Sequence, residues 1–544
     1  MPQHGSRRTA RDLALLIGLT LALHVPFIGQ AFHLDDVQYL DIAQNVYKNP
    51  LFPLDMELVF DGKHMDMWGY THPPLNSYVI AAAMLLNNRE PSETFLHTVF
   101  LIFPVLAAVS FYFLARQFVS HAFLAAMLLV TNPTLMVCAH TLMADVPLLS
   151  LWLCGVGMFV RGVDRKQNVW VYASALAITA ASFYAYQGLA IIPLLAFHAL
   201  RRKRFGPPEI VAITAPVLLL GGWQYSGYLH RGMTYISIMF GHLQERGITE
   251  EATKVRTAIA TVTYLGGTII PFPFIFCGIG RRWKGALTWM SLGLAVVLVH
   301  QKFAAYSWME KAFLIACFGA GTVIVIWVIV RGLESWSARN WTTDEVFLGL
   351  WFIGMLAVSV VAFFSGSARY LLPALPPLLL LLMSADDQRI GLQRSRFFCG
   401  SLIGIQILLG ICLAHSDYEF AETGRQEARE FKSLYLSNGE PFYFSGEWGL
   451  RYYLTSMGGE IVALDTTGTP GRLMVKSRLC MGRIFDNAVG RSLETLEVRS
   501  YRIRSPFRLL DEHSRAGFWS DGWGVLPFSF SREALDEFSI YRLK

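Results

Sequence analysis

The sequence predicts a polytopic α-helical membrane protein that ends in a smaller α/β domain. Hydrophobic residues make up 53% of the 544 residues and charged residues only 16%, proportions that are atypical of soluble globular proteins. Apolar runs follow one another between residues 12 and 414, and about thirteen of them approach the length of a membrane helix. Residues 415–544 are more polar and contain short strand patterns. These observations divide the chain into a membrane domain, 1–414, and a tail domain, 415–544.

The loops between the apolar runs indicate how the chain is oriented. Basic residues cluster in alternate short loops, which places those loops on the cytoplasmic face. This alternation holds only if the short apolar run within 71–87 does not cross the membrane, and its length suits an interfacial helix. We therefore expect a multi-pass protein of the plasma (inner) membrane, with a first outer loop at about 33–94 and a periplasmic or extracytoplasmic tail domain. Because topology accounts for the basic residues, nucleic-acid binding is not expected.

The tail has the pattern of a compact α/β domain. Short strands are predicted at 441–446, 459–464 and 472–476, and a helix at 448–456. The tail shows no catalytic motif of its own, so we expect the chemistry to lie in the membrane domain.

Asp35 and Asp36 directly follow the first apolar segment and precede an amphipathic helix pattern. Ionisable groups at the edge of the bilayer are costly unless they are solvated, paired or functional, which favours a catalytic role. An aspartate before a helix is also a favoured N-cap, and this alternative is about as good on physical grounds. Asp145, two residues before Pro147, has the same two interpretations, and taken alone it is slightly better explained as a helix cap. Helical spacing does not choose between Asp35 and Asp36.

Other polar residues share the predicted outer face. His72, with His64 and Asp66, could bind a divalent metal, although the spacing is not that of a dedicated zinc motif. Arg369 and Lys302 could hold an anion, or could simply extend to the interface. Carboxylates in two outer loops and cations in two others suit a site that binds a lipid-linked phosphate. A carboxylate there would take the proton of an attacking hydroxyl, and a cation would neutralise the departing phosphate.

Four motifs, in this order along the chain, resemble those of the GT-C glycosyltransferases in the protein O-mannosyltransferase and lipid A aminoarabinose transferase branch. Residues 35–39 are similar to the Asp-Glu-x-x-Tyr motif of that branch, and 72–75 to its His-Pro-Pro-Leu segment. Residues 144–147 are similar to its second acidic loop, and 369–373 to its Arg-Tyr-x-x-Pro turn. The ordered set extends over about residues 12–414.

The resemblance implies a GT-C fold and an inverting transferase that takes a sugar from a polyprenyl-phosphate donor on the outer face. By position it assigns the general base to Asp35 and supporting roles to Asp36 and Asp145. It implies that the donor phosphate contacts Arg369, Tyr370 and Lys302. The remaining site residues, which would line the acceptor side or its loops, are His72, His140 and Tyr39.

Two positions depart from the family pattern. The glutamate of the first motif is shortened to Asp36, and the Lys-Gly or arginine-containing turn appears as Tyr186-Gln187-Gly188. The second change removes a candidate phosphate ligand, so Lys302 and Arg369 would have to suffice.

Two other functions are compatible with a polytopic chain of this kind. A polysaccharide polymerase or ligase also uses lipid-linked glycans, but the acids after the first helix and the outer tail domain favour the transferase. A transporter should carry its charges at mid-membrane, often in matching halves, whereas the charges here lie at span ends. The expected partners are a polyprenyl-phosphate-linked sugar, a hydroxyl-bearing protein, lipid or glycan acceptor, and membrane lipids.

Overall fold

The computed structural model of the chain describes residues 2–248, 250–268, 296, 303–339, 341–389, 392–436, 440–487 and 489–544. Most of these residues are helical. The helices before residue 303 are α1 Pro2–His24, α2 Asp36–Val46, α3 Leu75–Leu85, α4 Glu93–Phe100, α5 Ile102–Ala115, α6 Ala122–Val130, α7 Pro133–Cys138, α8 Asp145–Asp164, α9 Asn168–Tyr184, α10 Ile192–Arg201, α11 Pro207–Arg231, α12 Tyr235–Glu245 and α13 Glu251–Thr268. Those after it are α14 Trp308–Arg339, α15 Asp344–Val361, α16 Leu375–Arg389, α17 Leu392–Tyr435 and α18 Trp448–Ser456.

Seven helical stretches in the described ranges are long and apolar enough to cross a membrane. They are Arg7–Phe27, Glu93–Ala115, Asp145–Asp164, Pro207–Arg231, Trp308–Ala338, Asp344–Val361 and Gly400–Tyr435. The prediction of a polytopic helical membrane protein is therefore confirmed. The count of about thirteen spans is not confirmed and stays a prediction, and the predicted span at 285–301 falls almost entirely outside the described residues.

Several predicted spans are shorter or interrupted in the structure. The apolar run at 121–138 forms two short helices, α6 and α7, because Asn132 caps α7 with its side chain and Pro133 starts that helix. The short run within 71–87, which is predicted not to cross the membrane, forms α3, whose 11 residues are indeed too few to span a bilayer. Turn and cap residues inside apolar runs thus account for part of the difference in span count.

Helices α13 and α14 cross at two glycines that leave no room for a side chain. A Cβ at Gly321 would overlap the carbonyl oxygen of Val262, and one at Gly266 would overlap that of Cys317. Small residues allow this close backbone approach, which is a common way for helices to pack in a membrane.

The glycine crossing predicts opposite effects for two alanine substitutions on α14. Gly321→Ala should destabilise the protein by about 1–3 kcal/mol, because the helices must separate. Gly319→Ala meets no atom within 4 Å and replaces a helix-interior glycine, so it should be neutral or stabilising. Thermal unfolding of the purified chain in detergent measures both, and equal unfolding temperatures for the two variants would contradict the crossing.

The tail contains a five-stranded mixed sheet. Its strands are β3 Phe442–Ser445, β4 Gly459–Ile461, β5 Leu473–Ser477, β6 Leu493–Tyr501 and β11 Asp536–Leu543. Their order in the sheet is β4-β3-β5-β11-β6. Strand β3 is parallel to β4 and β5, while β11 is antiparallel to β5 and β6. The predicted strands and helix between 441 and 476 are present, so the α/β tail is confirmed. The predicted boundary at 414/415 lies inside α17, which continues to Tyr435.

The remaining strands are short hairpin pairs. In the first loop, β1 Glu57–Phe60 pairs with β2 Lys63–Asp66. In the tail, β7 Phe507–Arg508 pairs with β10 Ser529–Phe530, and β8 Leu510–Asp511 with β9 Ala516–Gly517.

The tail domain packs directly against the loop that follows α1. The Tyr453 hydroxyl accepts a hydrogen bond from the Phe32 N–H at 3.0 Å, and Glu447 Oε1 accepts one from the Asp61 N–H at 2.7 Å. Gly449 lies so close to Phe32 that a Cβ would overlap its carbonyl oxygen. The tail and the first loop therefore form one packed unit around the acidic pair.

Candidate active site

Asp35 and Asp36 lie at the start of α2 but point to different partners. Leu34, just before them, has a φ of 50°, a left-handed conformation that is costly for leucine and that often accompanies functional sites. Asp35 occupies the N-cap position, yet its side chain makes no capping hydrogen bond. The helix-cap interpretation therefore does not explain its carboxylate.

Arg369 lies between Asp35 and Asp145. Its Nη2 is 3.6 Å from Asp35 Oδ2, and its Nη1 is 3.6 Å from Asp145 Oδ2. The Asp35 side chain is 34% exposed, whereas those of Arg369 and Asp145 are each 12% exposed. The structure thus brings together three residues from distant parts of the sequence, and the most accessible member is Asp35.

The guanidinium of Arg369 is held by its own turn, a 3-10 helix at Ala368–Ala374. Nη2 donates to the Tyr370 hydroxyl at 3.2 Å, and the Tyr370 ring stacks on Phe363 with 3.6 Å between centroids. Nη1 lies 3.4 Å from Sδ of Met143, two residues before Asp145. Tyr370 therefore supports the same guanidinium nitrogen that approaches Asp35.

Three neutral aromatic residues form a wall beside the acids. The Tyr39 ring centroid lies 5.8 Å from that of Tyr70 and 5.9 Å from that of His72. Burial, reinforced by the charges of Asp145 and Asp35, raises the pKa of Tyr39 well above its ordinary value. Burial and the charge of Arg369 lower the pKa of His72 to about 3, so its imidazole is neutral. This wall supplies polar groups that carry no charge at ordinary pH.

Asp36 and His140 lie away from the Arg369 cluster. Asp36 is fully buried, and its carboxylate accepts hydrogen bonds from the N–H groups of Leu142 at 2.8 Å and His33 at 3.3 Å. His140 Nε2 is 2.8 Å from His24 Nδ1 in the helical interior. Lys302 lies outside the described residues. The acidic pair is thus divided: Asp35 faces the cluster, and Asp36 ties two loops together.

Arg246 is a cation near the site that the sequence did not single out. Its guanidinium lies between the rings of Phe60 and Phe364, at 5.2 and 5.3 Å from their centroids. Burial lowers the pKa of Arg246, and the negative charges of Asp35 and Asp61 oppose that shift. No ion pair of Arg246 occurs in the described part of the chain. The sequence offers no motif that distinguishes it from other loop arginines.

Two of the three residues of the predicted metal site, His64 and Asp66, form ion pairs with other side chains. His64 pairs with Asp465 at 3.3 Å, and Asp66 pairs with Arg231 at 3.0 Å. Over the described ranges, no group of three histidine, cysteine, aspartate or glutamate side chains is arranged to hold a metal ion.

The sequence of this region also matches a known family. Residues 71–221 match the family model described as dolichyl-phosphate-mannose-protein mannosyltransferase. The predicted family resemblance is confirmed. The match includes His72 and Asp145, two of the predicted GT-C site residues. No curated protein matches the chain by sequence.

Solved structures of GT-C enzymes resemble the chain at low identity. The Archaeoglobus fulgidus oligosaccharyltransferase with a tethered acceptor peptide is 12% identical over 84% of this chain and 63% of its own, with a TM-score of 0.45. ArnT from Cupriavidus metallidurans bound to undecaprenyl phosphate is 14% identical over 86% of this chain and 93% of its own, with a TM-score of 0.40. The mycobacterial arabinofuranosyltransferase AftD is 12% identical over 98% of this chain and 40% of its own, also at 0.40. The chain thus spans less than two thirds of the archaeal enzyme's length.

Proposed function

We propose that this chain is an integral membrane glycosyltransferase. It moves a sugar from a polyprenyl-phosphate donor to a hydroxyl acceptor on the outer face of the plasma membrane, with inversion at the anomeric carbon. The observation that carries the proposal is the cluster of Asp35, Arg369 and Asp145, which joins an accessible carboxylate to a cation beside apolar helices. The family match over 71–221 supports the donor class.

Asp35 is the proposed general base. Its carboxylate takes the proton of the acceptor hydroxyl while the hydroxyl oxygen forms a bond to the anomeric carbon. The bond from that carbon to the phosphate oxygen breaks, and the phosphate leaves with the electron pair as polyprenyl phosphate. Arg369 Nη2, 3.6 Å from Asp35 Oδ2, holds this carboxylate in position for the acceptor. A general base of this kind contributes about 10²–10⁴-fold to the rate.

The departing phosphate needs a cation and no general acid. Arg369 keeps its predicted role as a phosphate ligand, and its Nε is buried without a hydrogen-bond partner among the described residues. Its two terminal nitrogens are shared with Asp35 and Asp145, however. We add Arg246, because it is near Asp35 and is not bound to a carboxylate in the described ranges. Lys302 stays a prediction, as do the roles of Asp145 in orienting the acceptor and of Tyr39 and His72 in lining its path.

The Arg246 assignment predicts a selective effect on donor binding. Arg246→Ala should raise the donor KM about 10- to 100-fold, the loss expected for one charge-assisted contact. Arg246→Lys should recover part of that loss, because it restores the charge without the planar fork. Steady-state kinetics with varied donor measures both. Arg491→Ala, on an exposed tail arginine, is the control, and an unchanged KM in Arg246→Ala would remove Arg246 from the phosphate site.

The proposed function is tested in cells that lack the chain. Mass spectrometry of their membrane lipids and outer-surface glycans should show accumulation of one polyprenyl-phosphate sugar and loss of that sugar from one acceptor. Returning the wild-type gene should reverse both changes. Unchanged lipids and glycans would contradict the proposal, and loss of whole polymers with intact monosaccharide transfer would indicate a polymerase or ligase.

A further inference from the structure

The segment 517–521 of the tail reaches the site from the far end of the chain. It begins at the last residue of β9, and it contains Phe518, Trp519 and Asp521, which are all buried. It contacts both sides of the cluster, the turn that carries Arg369 and the loop that carries Asp35.

Backbone hydrogen bonds join the segment to the turn before Arg369. The Phe518 carbonyl accepts from the Ala368 N–H at 2.8 Å and from the Ser367 hydroxyl at 2.9 Å. The Asp521 N–H donates to the Gly366 carbonyl at 2.8 Å. Because Ala368 directly precedes Arg369, these bonds fix the backbone position from which the Arg369 side chain extends.

The Asp521 side chain secures this arrangement. Its carboxylate accepts hydrogen bonds from Thr257 and Ser365, each at 3.1 Å, and lies 3.6 Å from Arg256 Nε. Buried carboxylates persist where they are bonded in this way. The segment is therefore anchored to α13 as well as to the arginine turn.

A chain of buried polar side chains joins the same segment to the acidic loop. Trp519 Nε1 donates to Asp417 Oδ1 at 2.8 Å, and Asp417 Oδ2 lies 2.9 Å from His33 Nε2. His33 Nδ1 lies 3.6 Å from Asp36 Oδ2. We call Trp519, Asp417, His33 and Asp36 the relay. Its members are at most 5% exposed, so solvent does not substitute for any of them.

The relay also reaches the loop before Asp145. Asp36 Oδ1 accepts from the Leu142 N–H at 2.8 Å, three residues before that carboxylate. Each charged residue of the cluster therefore has a neighbour that is bonded to segment 517–521, directly or through the relay.

We propose that segment 517–521 is a positioning element of the active site, which sets the distance between Arg369 and the two carboxylates through its backbone bonds to 366–368 and through the relay. Trp519, Asp417 and His33 are positioning residues and do not touch the substrate. The inference rests on the proposed function for its kinetic consequence, and it gives the tail domain a role in catalysis without a catalytic residue of its own.

The charge state of His33 provides a readout of the relay. Burial alone would lower the pKa of His33, but the carboxylates of Asp417 and Asp36 outweigh it and raise the pKa to about 10. The other titratable groups that face His33 are His97 and His140, and burial lowers the pKa of His140 well below its ordinary value. At that pKa His33 is an imidazolium near neutral pH, and Asp417 contributes to this through its charge and its hydrogen bond.

The first test removes one hydrogen bond and keeps an aromatic side chain. Trp519→Phe in the full-length chain in nanodiscs should lower kcat about 10- to 100-fold, while the KM for a synthetic polyprenyl-phosphate hexose or pentose stays within about twofold. Trp523→Phe, two residues beyond the segment and outside the relay, is the matched control. Wild-type kcat in Trp519→Phe would overturn the proposal, and so would an equal loss in both variants.

The second test uses pH, and a purely structural role would not produce its result. In Asp417→Asn the pKa of His33 should fall, because one of its two carboxylate partners has lost its charge. The kcat of this variant should then decrease as the pH rises through the new pKa, a step in the pH profile that wild type lacks below pH about 9. Asp417→Asn with His33→Gln should lose the step. An Asp417→Asn profile of wild-type shape would overturn the proposal.

A spectroscopic measurement separates the two proposals. The histidine NMR signal of His33 is identified in the full chain by its absence from His33→Gln. This signal should not titrate between pH 5 and 9 in wild type, and it should titrate in that range in Asp417→Asn. This result is expected even if no donor is turned over, in which case the proposed function fails and the relay stands. A His33 signal that titrates near neutral pH in wild type would overturn the relay itself.

Discussion

Asp35→Asn should lower kcat for sugar transfer by about 10²–10⁴-fold, because the amide cannot accept the proton of the acceptor hydroxyl. The donor KM should change little, since the variant removes no proposed donor contact. The variant should fold normally, because Asp35 is partly exposed and its carboxylate makes no capping hydrogen bond. Steady-state kinetics of the purified variant, with a thermal unfolding measurement beside it, separates loss of chemistry from loss of fold.

Asp41→Asn is the matched control for Asp35→Asn. Asp41 lies on the same helix, is 29% exposed against 34% for Asp35, and also pairs with an arginine, Arg451 at 3.4 Å. It should retain transfer within a few-fold of wild type. Equal losses in the two variants would mean that α2 needs its charges for folding. Wild-type kcat in Asp35→Asn would remove Asp35 as the base.

Arg369→Lys should lower kcat/KM by at least about 100-fold, although it keeps the positive charge. A single ammonium group cannot contact Asp35 and Asp145 together as the forked guanidinium does. Arg369→Gln should cost more, because it leaves the buried Asp145 carboxylate without its cation, and breaking a buried pair costs about 3–5 kcal/mol. Kinetics at saturating acceptor, with the unfolding temperature of each variant, measures the two effects.

Arg499→Lys provides the control for that substitution. Arg499 is 10% exposed, against 12% for Arg369, and likewise pairs with more than one carboxylate, Glu427 and Glu497, but it lies in the tail away from the cluster. Arg499→Lys should lower the unfolding temperature and leave the rate of sugar transfer unchanged. An Arg369→Lys variant with wild-type kcat/KM would show that the two-carboxylate geometry is not needed.

Local patterns explain what could be predicted from the sequence. The strands and helix between 441 and 476 follow from alternation and turn residues, which act over a few positions. The approach of Asp35, Asp145 and Arg369 was predicted from loop charge and motif order, and the structure brings the three side chains together. Their catalytic roles stay proposals.

Contacts between distant residues explain what could not be predicted. Both faces of α2 are apolar, so spacing could not tell Asp35 from Asp36. The two carboxylates differ because Leu142 and His33 bond to Asp36. His33 in turn depends on Asp417, 384 residues away. Arg246 had no pattern to distinguish it from other loop arginines, since its relevance comes only from the approach of Phe60 and Phe364.

The most direct measurement follows the donor lipid. Purified chain in nanodiscs is incubated with synthetic polyprenyl-phosphate hexoses and pentoses and with an outer-surface extract as acceptor, and free polyprenyl phosphate is measured by mass spectrometry. Wild type should release polyprenyl phosphate from at least one donor as the sugar appears on an acceptor, and Asp35→Asn should release almost none. Release at the same rate by both proteins, or by neither, would contradict a glycosyltransferase site built on Asp35.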